Sequence, residues 1–289
     1  MNNNSSDHNP TSYQQMWRRL AKVYGEGEAK AMARMVYELR YGLTMTDLLT
    51  GRDADVPSDE LEQIARRLEH REPVQYVLGQ AEFCGRLFHV ETGVLIPRPE
   101  TAELCRLIVA AESQPATSDT APAILDIGTG SGCIATTLAL DLSGSRVTAW
   151  DVSPVALRVA SDNARRLGAK VCVERNDILQ PHDDVSPQWD VIVSNPPYIC
   201  NSEAADMEPN VLDYEPELAL FVPDDDPLLF YSAITHYASK ALRPDGKLWL
   251  ECNPLYTNQV AERLAQEGFD DVQTLDDQYG KTRFVKATR

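Results

Sequence analysis

The spacing of hydrophobic residues predicts that the first part of the chain is helical. Between residues 16 and 71 apolar side chains recur on one helical face, for example at Met32, Val36 and Leu39. This pattern predicts a small helical bundle that forms a domain of its own. The preceding residues, 1–15, are polar, and we expect them to form a disordered tail.

The pattern changes over residues 72–95, which we expect to link two domains. Short apolar runs at 76–79 and 83–90 are typical of strands. Because Gly85 lies within this segment and glycine favours tight turns, we predict a hairpin linker here.

Strands and helices alternate over the rest of the chain, residues 96–289. A helix is predicted after Pro99, followed by a polar loop over 112–122. The predicted strands are 124–127, 146–150, 170–173, 191–194, 246–251, 271–275 and 283–287, and the predicted helices between them are 133–142, 153–167, 228–242 and 256–266. Such alternation predicts an α/β fold, a doubly wound and mostly parallel sheet of seven strands, with ligands at the carboxyl ends of the strands.

Composition sets limits on the class of protein. The chain has 289 residues, 43% of them hydrophobic and 25% charged, a balance typical of globular proteins. No apolar run approaches the roughly 20 residues that span a bilayer, and the polar N-terminus does not resemble a secretory signal. We therefore expect a cytoplasmic protein that does not enter membranes, and we expect a monomer.

The six cysteines are scattered along the chain without a CxxC pair or a His/Cys cluster at zinc spacing. We therefore predict neither a metal site nor a disulfide framework. Single cysteines in apolar strands are most often small core residues.

Charge is distributed unevenly. The formal net charge is −17, and no Lys or Arg occurs between Asn176 and Ser239, a segment we call the acidic window. Such a segment favours a basic protein partner over a polyphosphate backbone, so we expect no direct binding of nucleic acid. A solvated acidic surface without a partner is the alternative.

A glycine loop follows the first strand of the alternating region. Counted from Gly128, glycines occupy the first, third and fifth places of this loop, and Asp126 precedes it. The dinucleotide fingerprint requires glycine at the first, third and sixth places, and here the sixth place is Cys133. This spacing favours S-adenosylmethionine, whose amino group an acid at the strand end can meet. Thr129 and Ser131 complete the predicted cofactor loop, and a purely structural turn is the alternative.

Acids also follow the next two strands. Asp151 is placed to accept both ribose hydroxyls of an adenosine ligand, and Asp177 to accept from the adenine amine. Ile178 is placed to pack on the adenine ring. Each acid alone is more often a solvated loop residue, but three at successive strand ends favour one cofactor site.

The turn Asn195-Pro196-Pro197-Tyr198 follows the apolar strand 191–194. The two prolines fix φ and remove two N–H donors, so carbonyl groups face outward from a rigid turn. The Asn195 side-chain carbonyl and the Pro196 backbone carbonyl can accept both hydrogens of one NH₂ group, while Tyr198 packs on its flat face. These acceptors would activate a planar nitrogen toward an incoming methyl group without a dedicated base.

With these motifs the chain resembles the peptide chain release factor N5-glutamine methyltransferases, often called PrmC or HemK-like. The glycine loop and Asn195–Tyr198 resemble the two general motifs of class I amino-methyltransferases. The more particular matches are Arg71–Tyr76, Gly79, Glu82-Phe83, Leu95–Thr101, Tyr214–Pro216, Ala219-Leu220, Leu250-Glu251, Asp277–Gly280 and Arg283. The resemblance extends over residues 16–289.

The resemblance implies a Rossmann-like fold and methylation of the glutamine in the Gly-Gly-Gln motif of class 1 release factors, an event that modulates translation termination. It also implies that the helical domain recognises the substrate. Asn195 would contact both cofactor and substrate, and Arg98, Glu100 and Thr101 are further candidates for contacts with substrate. For Glu100 and Thr101 the alternative is that they only start a helix after Pro99.

Three other functions remain open at this level. An adenine or cytosine N-methyltransferase shares the tetrapeptide but needs basic tracks for the nucleic-acid backbone, which the acidic window disfavours. An NAD-dependent oxidoreductase is disfavoured by Cys133 and leaves Asn195–Tyr198 unexplained. A protein that binds the release factor or the cofactor without transfer can be excluded only by an activity measurement.

Overall fold

The computed structural model describes residues 12–113, 121–180 and 185–289. The predicted tail residues 1–11 and most of the predicted polar loop, residues 114–120, lie outside the described ranges. The chain divides into two compact units, the first containing the chain up to Gln80 together with Glu208–Tyr214, and the second containing Ala81–Met207 and Glu215–Arg289.

The helices and strands follow in chain order. The α-helices are α1 (Tyr13–Tyr24), α2 (Glu26–Tyr41), α3 (Met45–Leu49), α4 (Ser58–Glu69), α5 (Val74–Leu78), α6 (Pro99–Glu112), α7 (Cys133–Asp141), α8 (Pro154–Leu167), α9 (Pro209–Tyr214), α10 (Leu229–Ala241) and α11 (Thr257–Gln266). The strands are β1 (Gln80–Phe83), β2 (Arg86–His89), β3 (Ala123–Ile127), β4 (Arg146–Asp151), β5 (Val171–Arg175), β6 (Trp189–Ser194), β7 (Ile199–Cys200), β8 (Phe221–Val222), β9 (Leu242–Glu251), β10 (Asp270–Asp276) and β11 (Thr282–Thr288).

The first unit is built from α1 to α5 and α9. Its helices bury one apolar cluster that includes Met16, Leu20, Val36 and Leu61, the positions that the helical periodicity predicts. The predicted boundaries of the domains, residues 16–71 and 96–289, stay predictions.

The prediction of a disordered tail up to Gln15 was wrong at its C-terminal end, because α1 already begins at Tyr13. The Ser12 hydroxyl caps the helix by accepting from the Gln15 N–H at 3.3 Å. The Tyr13 N–H donates at 2.6 Å to Asp53, which is buried. A long-range bond of this kind leaves no periodic trace in the sequence.

The prediction of a strand at 76–79 was also wrong, because Val74–Leu78 form the short helix α5. Pro73 precedes the helix with a φ of −53°, and Gly79 ends it in the left-handed region with a φ of 68°. Val74 and Val77, one helical turn apart, both enter the apolar cluster of the first unit. Tertiary packing therefore overrides the strand preference of these apolar residues. Around Gly85 the structure has two paired strands, β1 and β2, as the prediction of a hairpin there requires. The role of this segment as a linker between domains stays a prediction.

The second unit contains a seven-stranded sheet with the order β10-β11-β9-β6-β3-β4-β5. The strands β9, β6, β3, β4 and β5 are parallel, and β11 is antiparallel to both of its neighbours. The predicted α/β fold with a mostly parallel sheet and N-terminal helices is therefore confirmed. After β3 the chain adds β4 and β5 on one side of the sheet, and after β6 it adds β9 on the other side. The crevice expected for a ligand therefore lies between β3 and β6, at their carboxyl ends.

Within the described ranges, no helix combines the length and the apolar character that crossing a bilayer requires.

Candidate active site

The glycine loop joins β3 to α7 in a backbone conformation that favours glycine. Gly128, Gly130 and Gly132 have φ values of 74°, 55° and 78°, all in the left-handed region. A Cβ atom added at Gly128 or Gly130 would meet nothing within 4 Å. The loop therefore presents bare backbone to an open space at the carboxyl edge of the sheet, which suits close approach of a ligand.

Gly132 has a different role, because here the backbone approaches helix α8. A Cβ at this position would lie 2.9 Å from both Cα and Cβ of Ala160. The Asn163 side chain, also on α8, donates to the Ser131 carbonyl at 2.9 Å. Helix α8 thus holds the second half of the loop in place.

Asp126 is buried beneath the loop and stabilises it. Its Oδ2 accepts from the Thr129 hydroxyl at 2.6 Å and from the Ala135 N–H at 3.1 Å. Its Oδ1 is buried and has no hydrogen-bond partner among the described residues, and the same holds for the Ser131 hydroxyl. Burial raises the pKa of Asp126 to about 7. One oxygen of this carboxyl group therefore organises the loop, and the other is left for a donor such as an ammonium group.

Asp151 ends β4 and lies against the glycine loop. Its two oxygens accept from the N–H groups of Gly130 and Ser153, each at 2.9 Å. Burial raises the pKa of this carboxyl group above its usual range. Because a carboxylate has about four lone-pair sites, Asp151 can accept further hydrogen bonds.

Asp177 and Ile178 follow β5, at the same edge of the sheet. The Asp177 carboxylate accepts from the N–H of Leu179 at 3.0 Å and from the Gln180 side chain at 3.2 Å. Ile178 is buried in the cluster that contains Ile127 and Trp150. The structure thus brings all three predicted acids to neighbouring strand ends.

We call the open space over Gly128 and Gly130 the cofactor cradle. Together with the Oδ1 of Asp126, which has no partner among the described residues, it fits an adenosine cofactor with a cationic amino group. The roles of the individual cofactor residues stay predictions.

The tetrapeptide Asn195–Tyr198 leaves the end of β6, beside the glycine loop. The Ser194 hydroxyl just before it donates to the carbonyl of Ile127 at 2.7 Å, which joins β6 to β3 at this edge. The N–H of Tyr198 donates at 3.2 Å to the carbonyl of Leu220, and β7 and β8 continue from this bond. The Asn253 side chain donates to the Tyr198 carbonyl at 3.1 Å. The turn is therefore held from both sides.

Two acceptors of the turn stay free of partners in the described part of the chain. The Asn195 Nδ2 donates to the Thr101 hydroxyl at 3.0 Å, and its Oδ1 makes no hydrogen bond there. The carbonyl of Pro196 also accepts no hydrogen bond from these residues. The pair of acceptors that the sequence predicts is thus available for one NH₂ group.

Glu251, at the end of β9, is a residue to which the sequence analysis gave no role. It accepts from the Thr101 hydroxyl at 2.7 Å and from the Tyr198 hydroxyl at 3.4 Å. Burial raises its pKa to about 7, against the opposing effects of the Thr101 hydroxyl and the Arg283 guanidinium. Its position, an acid at the end of a buried parallel strand like Asp126 and Asp151, was the available signal.

The three candidate substrate-binding residues at the start of α6, Arg98, Glu100 and Thr101, differ in their contacts. Thr101 contacts Asn195 directly. The Arg98 guanidinium instead donates to Glu215 at 2.7 Å, and Glu215, whose side chain is 1% exposed, also accepts from the N–H of Ile96. Glu100 lies in the first turn of α6 and disfavours ionisation of Glu251 by charge repulsion, so it raises the pKa of that group. Contacts of these residues with substrate stay predictions.

The site can therefore bind a planar NH₂ group through two acceptors at the crevice between β3 and β6. The cofactor cradle lies on the adjacent strand end, in register with the turn, because Ile127 pairs with Ser194. This arrangement suits transfer of a group from the cofactor to the nitrogen held by the turn.

Comparisons with known proteins agree with this chemistry. Residues 13–79 match the PrmC N-terminal domain family, and residues 110–211 match the methyltransferase small domain family. The chain is 44% identical over 273 residues to the release factor glutamine methyltransferase of Bacteroides thetaiotaomicron, covering 93% of this chain and 96% of that protein. It is 39% identical over 270 residues to the release factor glutamine methyltransferase of Flavobacterium psychrophilum, covering 92% of this chain and 94% of that protein.

Among solved structures, the chain is similar to a 16S rRNA N2 methyltransferase of T. thermophilus in complex with AdoMet and guanosine. The TM-score is 0.51 and the identity 19%, over 73% of this chain and 49% of that chain. At this identity the similarity shows a shared fold alone.

Proposed function

The chain belongs to the family of release factor glutamine methyltransferases, and we propose that its substrate is the glutamine of the Gly-Gly-Gln motif of class 1 peptide chain release factors. The protein is an enzyme that methylates a protein glutamine, with S-adenosylmethionine as the methyl donor. In this proposal the methyl group is added to the side-chain amide nitrogen and modulates translation termination.

The observation that supports this proposal is the pair of free acceptors at the turn, the Oδ1 of Asn195 and the carbonyl of Pro196. A glutamine side chain ends in an NH₂ group whose two hydrogens match two acceptors. Amide nitrogen is a poor nucleophile because its lone pair is delocalised into the carbonyl group. Two acceptors increase the electron density on nitrogen and stabilise the positive charge that develops when it is methylated.

S-adenosylmethionine, when bound, supplies a methyl group activated by the adjacent positive sulfur. The chain holds the amide so that its nitrogen lies toward the cofactor cradle, with Tyr198 and Pro197 packing against the flat amide face. No residue of the turn has to act as a strong base, because the alkylated nitrogen is acidic and releases its proton readily. Catalysis then rests on alignment and on the two acceptors.

We assign the cofactor to the glycine loop and the acids beside it. Gly128 to Gly132, including Thr129 and Ser131, would surround the methionine portion, with Asp126 toward the amino group. Asp151 would bind the ribose, and Asp177 and Ile178 the adenine.

The first unit and the acidic window are the features that we assign to contacts with the release factor. We assign recognition of the release factor to the helical domain and expect the window to favour basic surfaces of that factor. We further expect the enzyme to act as a monomer, in the cytoplasm and without direct contact to nucleic acid. Arg98, Glu100 and Thr101 are the remaining candidates for substrate binding.

The test is incubation with labelled S-adenosylmethionine and a purified release factor, alongside the same factor with its Gly-Gly-Gln glutamine changed to alanine. We expect label only in the unaltered factor. Equal labelling of both factors would refute the proposed substrate. Labelling of added DNA or RNA in place of the factor would favour methylation of a base amino group, which the same tetrapeptide can bind.

A further inference from the structure

Three polar side chains from three separate elements form a chain of hydrogen bonds behind the turn. Glu251 ends β9, Thr101 lies in the first turn of α6, and Asn195 follows β6. The Thr101 hydroxyl lies 2.7 Å from Glu251 Oε2 and 3.0 Å from Asn195 Nδ2. Thr101 and Glu251 are 3% and 1% exposed, so water does not compete for these bonds.

The chemistry of the three groups fixes the direction of the chain. A carboxylate can only accept hydrogen bonds, so the single hydroxyl hydrogen of Thr101 is directed to Glu251. The lone pairs of that hydroxyl then accept from Asn195, which must present its NH₂ group. The carbonyl oxygen of the Asn195 amide consequently faces the other way, toward the space where a substrate amide would lie.

The opposite orientation of Asn195 would prevent binding of the substrate. With the amide turned over, Nδ2 would face the glutamine NH₂, and two donors would meet without an acceptor. An unmatched polar pair of this kind is unfavourable when it is buried, because each group has lost its hydrogen bonds to water. A group that fixes the orientation of Asn195 is therefore needed for the chemistry.

Glu251 is also connected to the other end of the tetrapeptide. Its Oε1 accepts from the Tyr198 hydroxyl at 3.4 Å, so one carboxylate binds the last residue of the turn directly and is connected to the first through Thr101. The Arg283 guanidinium, itself bound to Asp277 at 3.0 Å, favours the ionised form of Glu251. Both contacts favour the ionised, accepting state that the direction of the chain requires, against burial, which raises the pKa of Glu251 to about 7.

We propose that Glu251, acting through Thr101, orients the Asn195 amide so that its oxygen accepts from the substrate NH₂. Glu251 and Thr101 are thus positioning residues. The inference rests on the proposed function, since the orientation matters only when an NH₂ group is the substrate. A purely structural alternative is that the two residues only attach α6 to the sheet.

The variants that separate these roles are Thr101→Val, Thr101→Ser and Glu251→Gln. Valine has the shape of threonine but removes the hydroxyl, and serine restores it. Thr235→Val is the matched control, because Thr235 is equally buried on α10 and its hydroxyl has no hydrogen-bond partner among the described residues. The measurements are kcat and KM for the release factor, the affinity for S-adenosylmethionine, and the midpoint of thermal unfolding.

We expect Thr101→Val to lower kcat by about ten-fold or more, since it removes a bond in a chain that ends on a charged group. The kcat of Thr101→Ser should stay within about three-fold of wild type, and Thr235→Val should not change kcat. The affinity for S-adenosylmethionine should stay within about two-fold of wild type in all variants. Combining Thr101→Val with Glu251→Gln should add little to either change alone, because both interrupt one chain. An unchanged kcat in Thr101→Val, or equal losses in Thr101→Val and Thr101→Ser accompanied by a lower unfolding midpoint, would overturn the proposal.

A second measurement does not depend on activity. The side-chain NH₂ signals of Asn195, identified in nitrogen–proton spectra by their loss in Asn195→Ala, should show one proton that is bonded and slow to exchange with water. Thr101→Val should remove that protection and Thr101→Ser should keep it. If wild type fails to methylate release factors, the proposed function fails while this result still tests the orientation. If protection persists in Thr101→Val, the orientation by Thr101 is refuted whatever the substrate.

Discussion

At Asn195 the side chain is bound on one side and free on the other. Thr101 binds its Nδ2, and its Oδ1 makes no hydrogen bond within the described residues. The following prolines remove two backbone donors that would otherwise face the substrate. The residue therefore acts as an oriented acceptor on a rigid turn, which is the property that methylation of an amide requires.

Asn195→Ala should abolish this acceptor and leave the fold intact. We expect kcat to fall by about 100-fold or more, as when one group that stabilises a transition state is removed. The unfolding midpoint should change little, since Asn195 is only half-buried. Most cofactor binding should remain, because the glycine loop and its acids are unaltered. Asn201→Ala, an exposed asparagine nearby in the sequence, is the control for kinetics and calorimetry. Retained activity in Asn195→Ala would refute the acceptor role.

The ionisation of Glu251 should appear in the pH dependence of activity. Burial raises its pKa to about 7, and the charged or titratable groups that face it are Tyr198, Arg283 and Glu100. The ionised form can only accept from Thr101, whereas the protonated form can also donate to it and reverse the chain, so kcat/KM should rise with pH through about 7 and then level off.

The control is Glu251→Gln, in which this inflection should disappear. Stability should follow the opposite trend, because a carboxyl group whose pKa is raised on folding makes the folded state less stable as pH rises from its usual 4.5 to about 7. The range to measure is about one pH unit either side of the Glu251 pKa, roughly pH 6 to 8. A value of kcat/KM that stays constant or falls with pH over this range would contradict this role of Glu251.

Single residues differ in how far the sequence reveals them. Asn195 to Tyr198 are predictable because their chemistry is contained in four consecutive positions. Thr101 was a candidate only through resemblance, and Glu251 was given no role, because the two meet each other across 150 positions. Contacts of this range depend on how α6 packs on the sheet, and no local pattern encodes that.

The helices and strands could be predicted from the sequence more completely than the contacts of single residues, with two exceptions. Hydrophobic alternation gave the strands of the sheet and the helices between them, because each must bury a face or a stripe of the core. Val74–Leu78 instead form a helix that Pro73 and Gly79 delimit. The strand pair β7 and β8 was not predicted, since each is two residues long and its pairing depends on the turn at Tyr198.

The loop between β3 and α7 should show the cost of close packing at Gly132. Gly132→Ala and Gly168→Ala introduce a Cβ at nearly equal φ, 78° and 77°, so both should lose about 1 kcal/mol of unfolding free energy from the left-handed conformation. Only the first meets backbone, at 2.9 Å from Ala160, and should lose about 1–3 kcal/mol more and bind cofactor more weakly. Denaturant unfolding and calorimetry measure both, and equal losses in the two variants would contradict the packing role.

At the scale of the whole molecule, the distribution of negative charge determines which acidic side chains can attract a basic partner. Composition revealed the acidic window, but not which of its carboxylates are internal. Glu215 is buried and paired with Arg98, and the half-buried Asp190 is paired with Arg243, so neither adds an unpaired negative charge to the surface. Asp225 and Asp226 are exposed after β8, whose pairing with β7 connects them to the tetrapeptide.

If exposed acids attract a basic release factor, association should weaken with salt. We expect KM for the factor to rise several-fold between about 0.05 and 0.3 M salt, with little change in kcat, because ions screen exposed charges. Changing Asp225 and Asp226 to Asn should reduce this dependence, and Glu262→Gln, an exposed acid on α11, should not. A KM that is constant or falls with salt would contradict an electrostatic contribution.

The most direct test of the central claim is to locate the methyl group. A purified class 1 release factor is incubated with the enzyme and S-adenosylmethionine, digested, and its peptides are fragmented by mass spectrometry. We predict one added methyl group on the side-chain nitrogen of the Gly-Gly-Gln glutamine, absent with Asn195→Ala. A methyl group on another residue of the factor, or an unmodified factor with methylated nucleic acid in the same reaction, would contradict the account.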